Sequence, residues 1–288
     1  MADFILLVLK ISLGVFVFAI GLKATFQDAI FMFRRPAKLM WAFLSMNVIM
    51  PIFAVLLVSA FNLHPAVKIA VVALSVSPIP PVLPSKALKA GGRENYALGL
   101  LVAASLLAII WVPLSLELFQ RIFGLPLKMS VLSVAGVVLM TVLAPLAVGM
   151  AVRAALPDLA EKVARPCSSL AMIILVAGLL PVLFGMREAI GSLIGDGTLA
   201  ALVAFALVGL FAGHLLGFPK WEDRTVLALY TATRHPGMAI AIAQANFPQQ
   251  RLSIAAVVLA AIVSGIVSAP YLSWTKSVRA TAHAEVPR

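Results

Sequence analysis

Ser77-Pro-Ile-Pro-Pro-Val-Leu-Pro-Ser-Lys86 decides the fold, because four prolines and a lysine interrupt an apolar run otherwise long enough to cross a bilayer. A second break, Thr231-Ala-Thr-Arg-His-Pro-Gly-Met238, interrupts a later run in the same way. Proline removes a backbone donor and clashes with the turn before it. Pro78, Pro80, Pro81 and Pro84 therefore cannot all sit in one regular helix, and Pro236 kinks or ends its own, with Gly237 beside it. In hydrocarbon, unpaired backbone groups are tolerated only where they are buried in protein or line a wet cavity, so irregular backbone at membrane depth marks a site. Lys86 and Arg234 sharpen the point, since a charge at that depth is costly and usually functional.

Working outward, the composition fits the same reading. Hydrophobic residues make up 62% of the 288 positions and charged residues 11%, with a mean hydropathy of +1.09. A soluble domain carries about 25% charged residues, so there is too little polar surface here to cover a water-facing globule. The net charge of +11 does not indicate nucleic acid, because the basic residues sit in short loops between apolar spans and form no single basic face. The single cysteine, Cys167, excludes an internal disulfide. The opening Met-Ala-Asp-Phe has no positive flank, so the first apolar stretch is expected to be a retained span.

Apolar windows of ~20 residues predict an all-α polytopic membrane protein with about nine spans, at 4–22, 38–61, 66–88, 96–119, 129–152, 167–186, 197–217, 224–246 and 252–274. Fourteen Lys and Arg residues fall on one side of these spans, including Lys23, Lys38, Arg93, Arg153, Arg165, Arg224 and the tail's Lys276, Arg279 and Arg288; five fall on the other. Lys10, Lys86 and Arg234 remain within the membrane. The positive-inside rule then expects a cell (inner) membrane protein with its N-terminus outside and its C-terminus cytoplasmic. Trp41, Trp221 and Trp274 fall near span ends as interfacial aromatics do, whereas Trp111 does not.

The two breaks hold matching places. Residues 1–288 read as one transport unit in which 1–120 supply four spans and 129–276 supply five, and each half places its broken span next to last. Such placement is the pattern of inverted repeats whose discontinuous helices meet at the midplane to build a substrate site.

Several stretches resemble the bile acid:sodium symporter family. They are Phe33-Arg-Arg-Pro36, Asn47-Val-Ile-Met-Pro51, Pro80-Pro-Val-Leu-Pro-Ser-Lys-Ala87, Arg93-Glu-Asn-Tyr-Ala-Leu98 and Arg234-His-Pro-Gly-Met-Ala-Ile-Ala241, in the family's order across nearly the whole chain. The resemblance implies a panel domain, a core domain in which the broken helices cross, and alternating access of an organic anion driven by sodium. This chain resembles a version without the first helix.

Where sodium-coupled members carry Ser-Asn in the first break, this chain has Ser85-Lys86, and where they carry hydroxyls in the next helix it has Gly99 and Ala103. An acidic residue, a glutamine and an asparagine of the family's second break align with Tyr230, Arg234 and His235; a glutamine of the second span aligns with Met46. Sodium needs several hard oxygen ligands, so its site is expected to be degraded and no other cofactor or metal is expected. All eleven Asp and Glu lie in loops or near span ends, Glu117 being the nearest to the interior, so Lys86 and Arg234 have no obvious carboxylate partner. Two such cations at helix breaks suit an anion, with the planar fork of Arg234 beside free helix N-termini. The bland reading has both side chains snorkel to the interface.

Substrate contacts are thus expected at Asn47, Ser85, Lys86, Tyr230, Arg234 and His235, on breaks made by Pro80, Pro84, Pro236 and Gly237. Lys10 is expected to snorkel or line a cleft, and His214 to make a helix–helix hydrogen bond. Without a P-loop, nucleotide fingerprint or nucleophile constellation, an enzyme is not expected. The sequence points to a secondary transporter of bile acid-like or other organic carboxylates, with sodium coupling lost or altered, running as a uniporter or exchanger or on protons through Lys86 with His235 second. Two alternatives stay open: a sodium symporter with its ion site rebuilt from carbonyls and Asn47, and a non-transporting receptor or scaffold. Expected partners are a small organic anion and the lipid bilayer, with no nucleic acid; the oligomeric state is open.

Overall fold

The computed structural model describes residues 2–284, with side chains described over 7–278. Arg288 and the side chains of Arg279 and of the opening Met-Ala-Asp-Phe lie outside these ranges. The first span is α1 (Ala2–Gly21), followed by the short α2 (Phe26–Ala29). The second is α3 (Pro36–Phe43), a π-helical turn Leu44–Ile49 and α4 (Met50–Ala60); the third is α5 (Pro65–Val76), a break and α6 (Leu83–Lys89); the fourth is α7 (Glu94–Phe123). The fifth joins α8 (Val131–Val138), a π-helical turn Leu139–Leu143 and α9 (Ala144–Ala155). Then come α10 (Pro157–Gly185), α11 (Arg187–Gly191), α12 (Thr198–Leu216), the broken pair α13 (Trp221–Ala232) and α14 (Pro236–Asn246), and α15 (Leu252–Ala284). Six of these spans are long and apolar enough to cross a membrane unbroken, and among the described residues α1 and the two broken pairs bring the passes to nine.

Both π-helical turns lie just before a proline, Pro51 and Pro145, each at the first positions of the helix that follows. The wider turn makes room for a ring that would strike the carbonyl four residues back, and it absorbs the missing N–H. Pro113, Pro166, Pro181 and Pro270 sit within helices that continue past them.

Packing divides the spans into two bodies. α1, α9 and α10 pack on one another, with the backbones of Gly21 and Gly149 in close approach. The others form a second body in which α5 packs on α14 and α15, α6 on α13, and α12 on α13. Along α12, Gly209, Gly213 and Gly217 meet the backbone of α13: a Cβ at Gly213 would come within 2.5 Å of the Leu227 carbonyl oxygen. Small residues at every fourth position are how membrane helices approach this closely. An apolar cluster of Phe16, Val17, Ile20, Leu98 and Leu146, with Val82 from the first break packed against it, joins the two bodies.

Candidate functional site

The two breaks touch. Residues 77–82 leave the helical path after α5, and residues 233–235 do so after α13. Pro84 and Pro236 then start α6 and α14 in first-turn positions, where a missing N–H costs nothing. Across the gap the amide of His235 donates to the carbonyl of Pro78 at 2.8 Å, so α5–α6 and α13–α14 cross at their discontinuities. Ser45 and Thr231 share a buried hydroxyl hydrogen bond of 2.8 Å beside the crossing.

The end of α5 shows why the crossing carries a cation. A helix leaves its last carbonyls without intrahelical donors. The hydroxyl of Ser77 donates to Ala73 (2.7 Å) and its amide to Leu74 (3.0 Å). Arg234 completes the set: Nε donates to Leu74 (3.3 Å) and Nη2 to Ser75 (3.0 Å). The guanidinium therefore sits at the negative end of the α5 dipole, 3% exposed, and among the described residues it forms no ion pair. His235 caps α14, its Nδ1 accepting from the amide of Met238 at 3.3 Å. Acceptance requires that Nδ1 carry no proton, so the ring serves here as a neutral cap.

The remaining expected residues scatter. Tyr230 is fully buried and its hydroxyl donates to the carbonyl of Ala97 (3.1 Å), tying α13 to α7. Asn47 is buried at the edge of a separate apolar groove between α4 and α7 that also holds Trp111 and Ser115. Ser85 is half-buried, and Lys86, expected to be desolvated beside Arg234, is exposed on α6; the short α6 turns it outward while Leu83, Pro84 and Ala87 face the protein. Pro80 and Pro84 are buried, Pro236 is half-buried and Gly237 is exposed. Lys10 is exposed on α1. His214 bonds the Tyr271 hydroxyl of α15 at 2.8 Å, as expected.

An organic anion has little room at Arg234, whose adjoining cavity measures about 20 Å³. Larger spaces lie where the α1–α9–α10 body meets α2 and α7. One, about 620 Å³, is lined by apolar residues including Phe26, Val102, Leu146 and Met150; the other, about 700 Å³, is lined by Lys23, Glu94, Arg153, Glu161 and Arg165. Arg153 belongs to both. Among the described residues none of these five charged groups forms an ion pair. Sequence reasoning assigned Lys23, Arg153 and Arg165 to orienting loops, and no local signal separated them from the other loop cations.

One carboxylate was also missed. Asp223, at the start of α13, is 1% exposed and is paired with both Lys38 of α3 and Arg93 at the start of α7, the latter at 2.8 Å. Arg93 also lies over the ring of Phe31, 4.9 Å from its centroid. The glycines of α12 were the available signal, because they draw the first turn of α13 inward.

The carbonyls of Leu74 and Ser75 already accept from Arg234. A Cβ on Gly99 would lie 2.9 Å from the carbonyl oxygen of Asp28, so a hydroxyl side chain there would displace α2. Among the described residues, none of the His, Cys, Asp and Glu side chains cluster in threes as metal ligands do.

Residues 10–193 match the sodium bile acid symporter family. This chain belongs to that family. It is also 24% identical over 247 residues to the sodium-dependent organic anion transporters of Rattus norvegicus and Mus musculus, an alignment that covers 84% of this chain. The chain spans 66% and 65% of those relatives' lengths, just under two thirds. Membership in the sodium bile acid symporter family accords with an all-helical, multi-pass membrane protein, and it is a family of transporters rather than enzymes.

Proposed function

We propose that this protein is a secondary transporter of small organic anions that works by alternating access, without the sodium coupling of its relatives. The observation that carries the proposal is the paired cavity on Arg153. A polar space lined by Lys23, Arg153 and Arg165 together with Glu94 and Glu161 shares Arg153 with an apolar space, each of a volume that suits a drug-sized molecule (~300–1,000 Å³). That arrangement fits an amphipathic carboxylate, its acid at Arg153, Lys23 or Arg165 and its apolar body along Leu146 and Met150. Ser85 and Lys86 are a further contact on the opposing body, and Arg234 and His235 hold the crossing.

Within this reading the halves 1–120 and 129–276 act as inverted repeats, in a cell (inner) membrane with the N-terminus outside and the C-terminus cytoplasmic. Energy coupling, where present, runs on protons; without it the protein is a uniporter or exchanger. The deciding experiment is flux of labelled carboxylates into proteoliposomes. Accumulation or exchange supports the proposal, and saturable binding with no flux would make the protein a receptor instead. The names of the rat and mouse relatives favour a second reading, a sodium-dependent carrier, and replacing sodium with choline in the same assay separates the two.

A further inference from the structure

We infer that Glu94 lets the carrier close without cargo: when the two bodies come together, its carboxylate pairs with Arg153 in place of a substrate's. The inference rests on the transport reading and names what the same crevice does when no organic anion is bound. Among the described residues that line the space of about 700 Å³, Lys23, Arg153, Glu161 and Arg165 lie on the α1–α9–α10 body or directly follow it, and Glu94 alone comes from the other body. Glu94 is exposed, in the first turn of α7. Its neighbour Arg93 is paired with the buried Asp223 at 2.8 Å, which fixes the start of α7 in the second body.

The other nearby acids are spoken for. Glu161 lies one turn before Arg165 on α10, so those two can pair within one helix whatever the bodies do. Asp28 of α2 is taken up by its capping box with Thr25. That leaves Glu94 for Arg153, which is half-buried in the last turn of α9 and lines the apolar cavity as well. An acid in a first turn and a base in a last turn each sit at the favourable end of a helix dipole. In the open crevice both head groups face water, and among the described residues neither forms an ion pair. Closure expels that water, and a guanidinium buried without a counter-charge would hold the bodies apart. A substrate carboxylate removes this cost in the loaded carrier, and Glu94 removes it in the unloaded one. The cycle is then completed without a return cargo, which makes the protein a uniporter and not an obligate exchanger.

The test places spin labels at Gln27→Cys on α2 and Leu159→Cys on α10, both exposed, in the full chain carrying Cys167→Ser, and measures the distance between them in liposomes without added organic anion. Wild type should show two distances, one open and one closed. Glu94→Gln should cut the closed fraction about threefold, the scale of one partly solvated ion pair. Glu94→Asp should retain it, and combining Glu94→Arg with Arg153→Glu should restore it. With labelled glycocholate as the probe, efflux from wild-type vesicles should proceed with no glycocholate outside, whereas Glu94→Gln should require it there. A single open distance in wild type, or a closed fraction unchanged by Glu94→Gln, overturns the inference. A closed fraction that depends on Glu94 without any glycocholate flux upholds the pairing and counts against the transport reading alone.

Discussion

The amide of His235 donates to the carbonyl of Pro78 across 2.8 Å, which joins the two helix breaks through their main chains. A motion that separated α5–α6 from α13–α14 would have to leave both groups without partners at membrane depth. The crossing is therefore expected to move as one piece, while the seam beside Arg153, filled by cavities, is where the two bodies can part.

Removing the cation should loosen that piece. Arg234→Gln deprives the Leu74 and Ser75 carbonyls of charged donors and should cost about 2–3 kcal/mol of stability. Arg234→Lys keeps the charge but not the fork, and should cost less. Denaturation of the purified variants reads this directly; a Gln variant as stable as wild type would show that the carbonyls find other donors.

At the neighbouring position the requirement is for an acceptor, not for a histidine. His235→Asn should retain the cap on the Met238 amide and stay within about 0.5 kcal/mol of wild type, while His235→Leu should lose about 1 kcal/mol. Equal stability of the two variants would remove the capping role.

Asp223 makes a different demand. Asp223→Asn leaves Lys38 and Arg93 facing each other without a carboxylate. Because those cations are 24% and 25% exposed, the loss should be about 2 kcal/mol, below the ~3–5 kcal/mol of a fully buried pair. Thermal unfolding measured alongside Glu117→Gln, which disrupts an exposed pair with Arg121, gives the contrast: that change should be within ~0.5 kcal/mol.

For substrate, Arg153 is the residue to change. Arg153→Gln should weaken binding of a transported carboxylate about tenfold or more, equivalent to ~1.4 kcal/mol, with little effect on folding because among the described residues its head group forms no ion pair. Unchanged affinity in both Arg153→Gln and Arg165→Gln would move the site away from this crevice.

Ion coupling is tested in the same vesicles. Uptake should be equal in sodium and choline, and a saturable sodium dependence with lithium inactive would restore the symporter reading. Under an imposed pH gradient, uphill uptake by wild type would show proton coupling, and because Lys86 is exposed on α6, uptake should persist in Lys86→Gln.

The sequence by itself determined the membrane class, the nine passes seen among the described residues and the places of both breaks, because hydropathy and the lost N–H of proline act within a few residues of where they occur. It also marked Arg234 as a cation needing an unusual partner. Only the tertiary structure named that partner, since the Leu74 carbonyl lies 160 residues away in sequence and comes within reach through the crossing. The same holds for Asp223, which looks like one more loop acid until the glycines of α12 bring its helix inward. Lys23, Arg153 and Arg165 likewise become a cluster only where α1, α9 and α10 pack together. A loop cation carries no local mark of which neighbours the packing will give it.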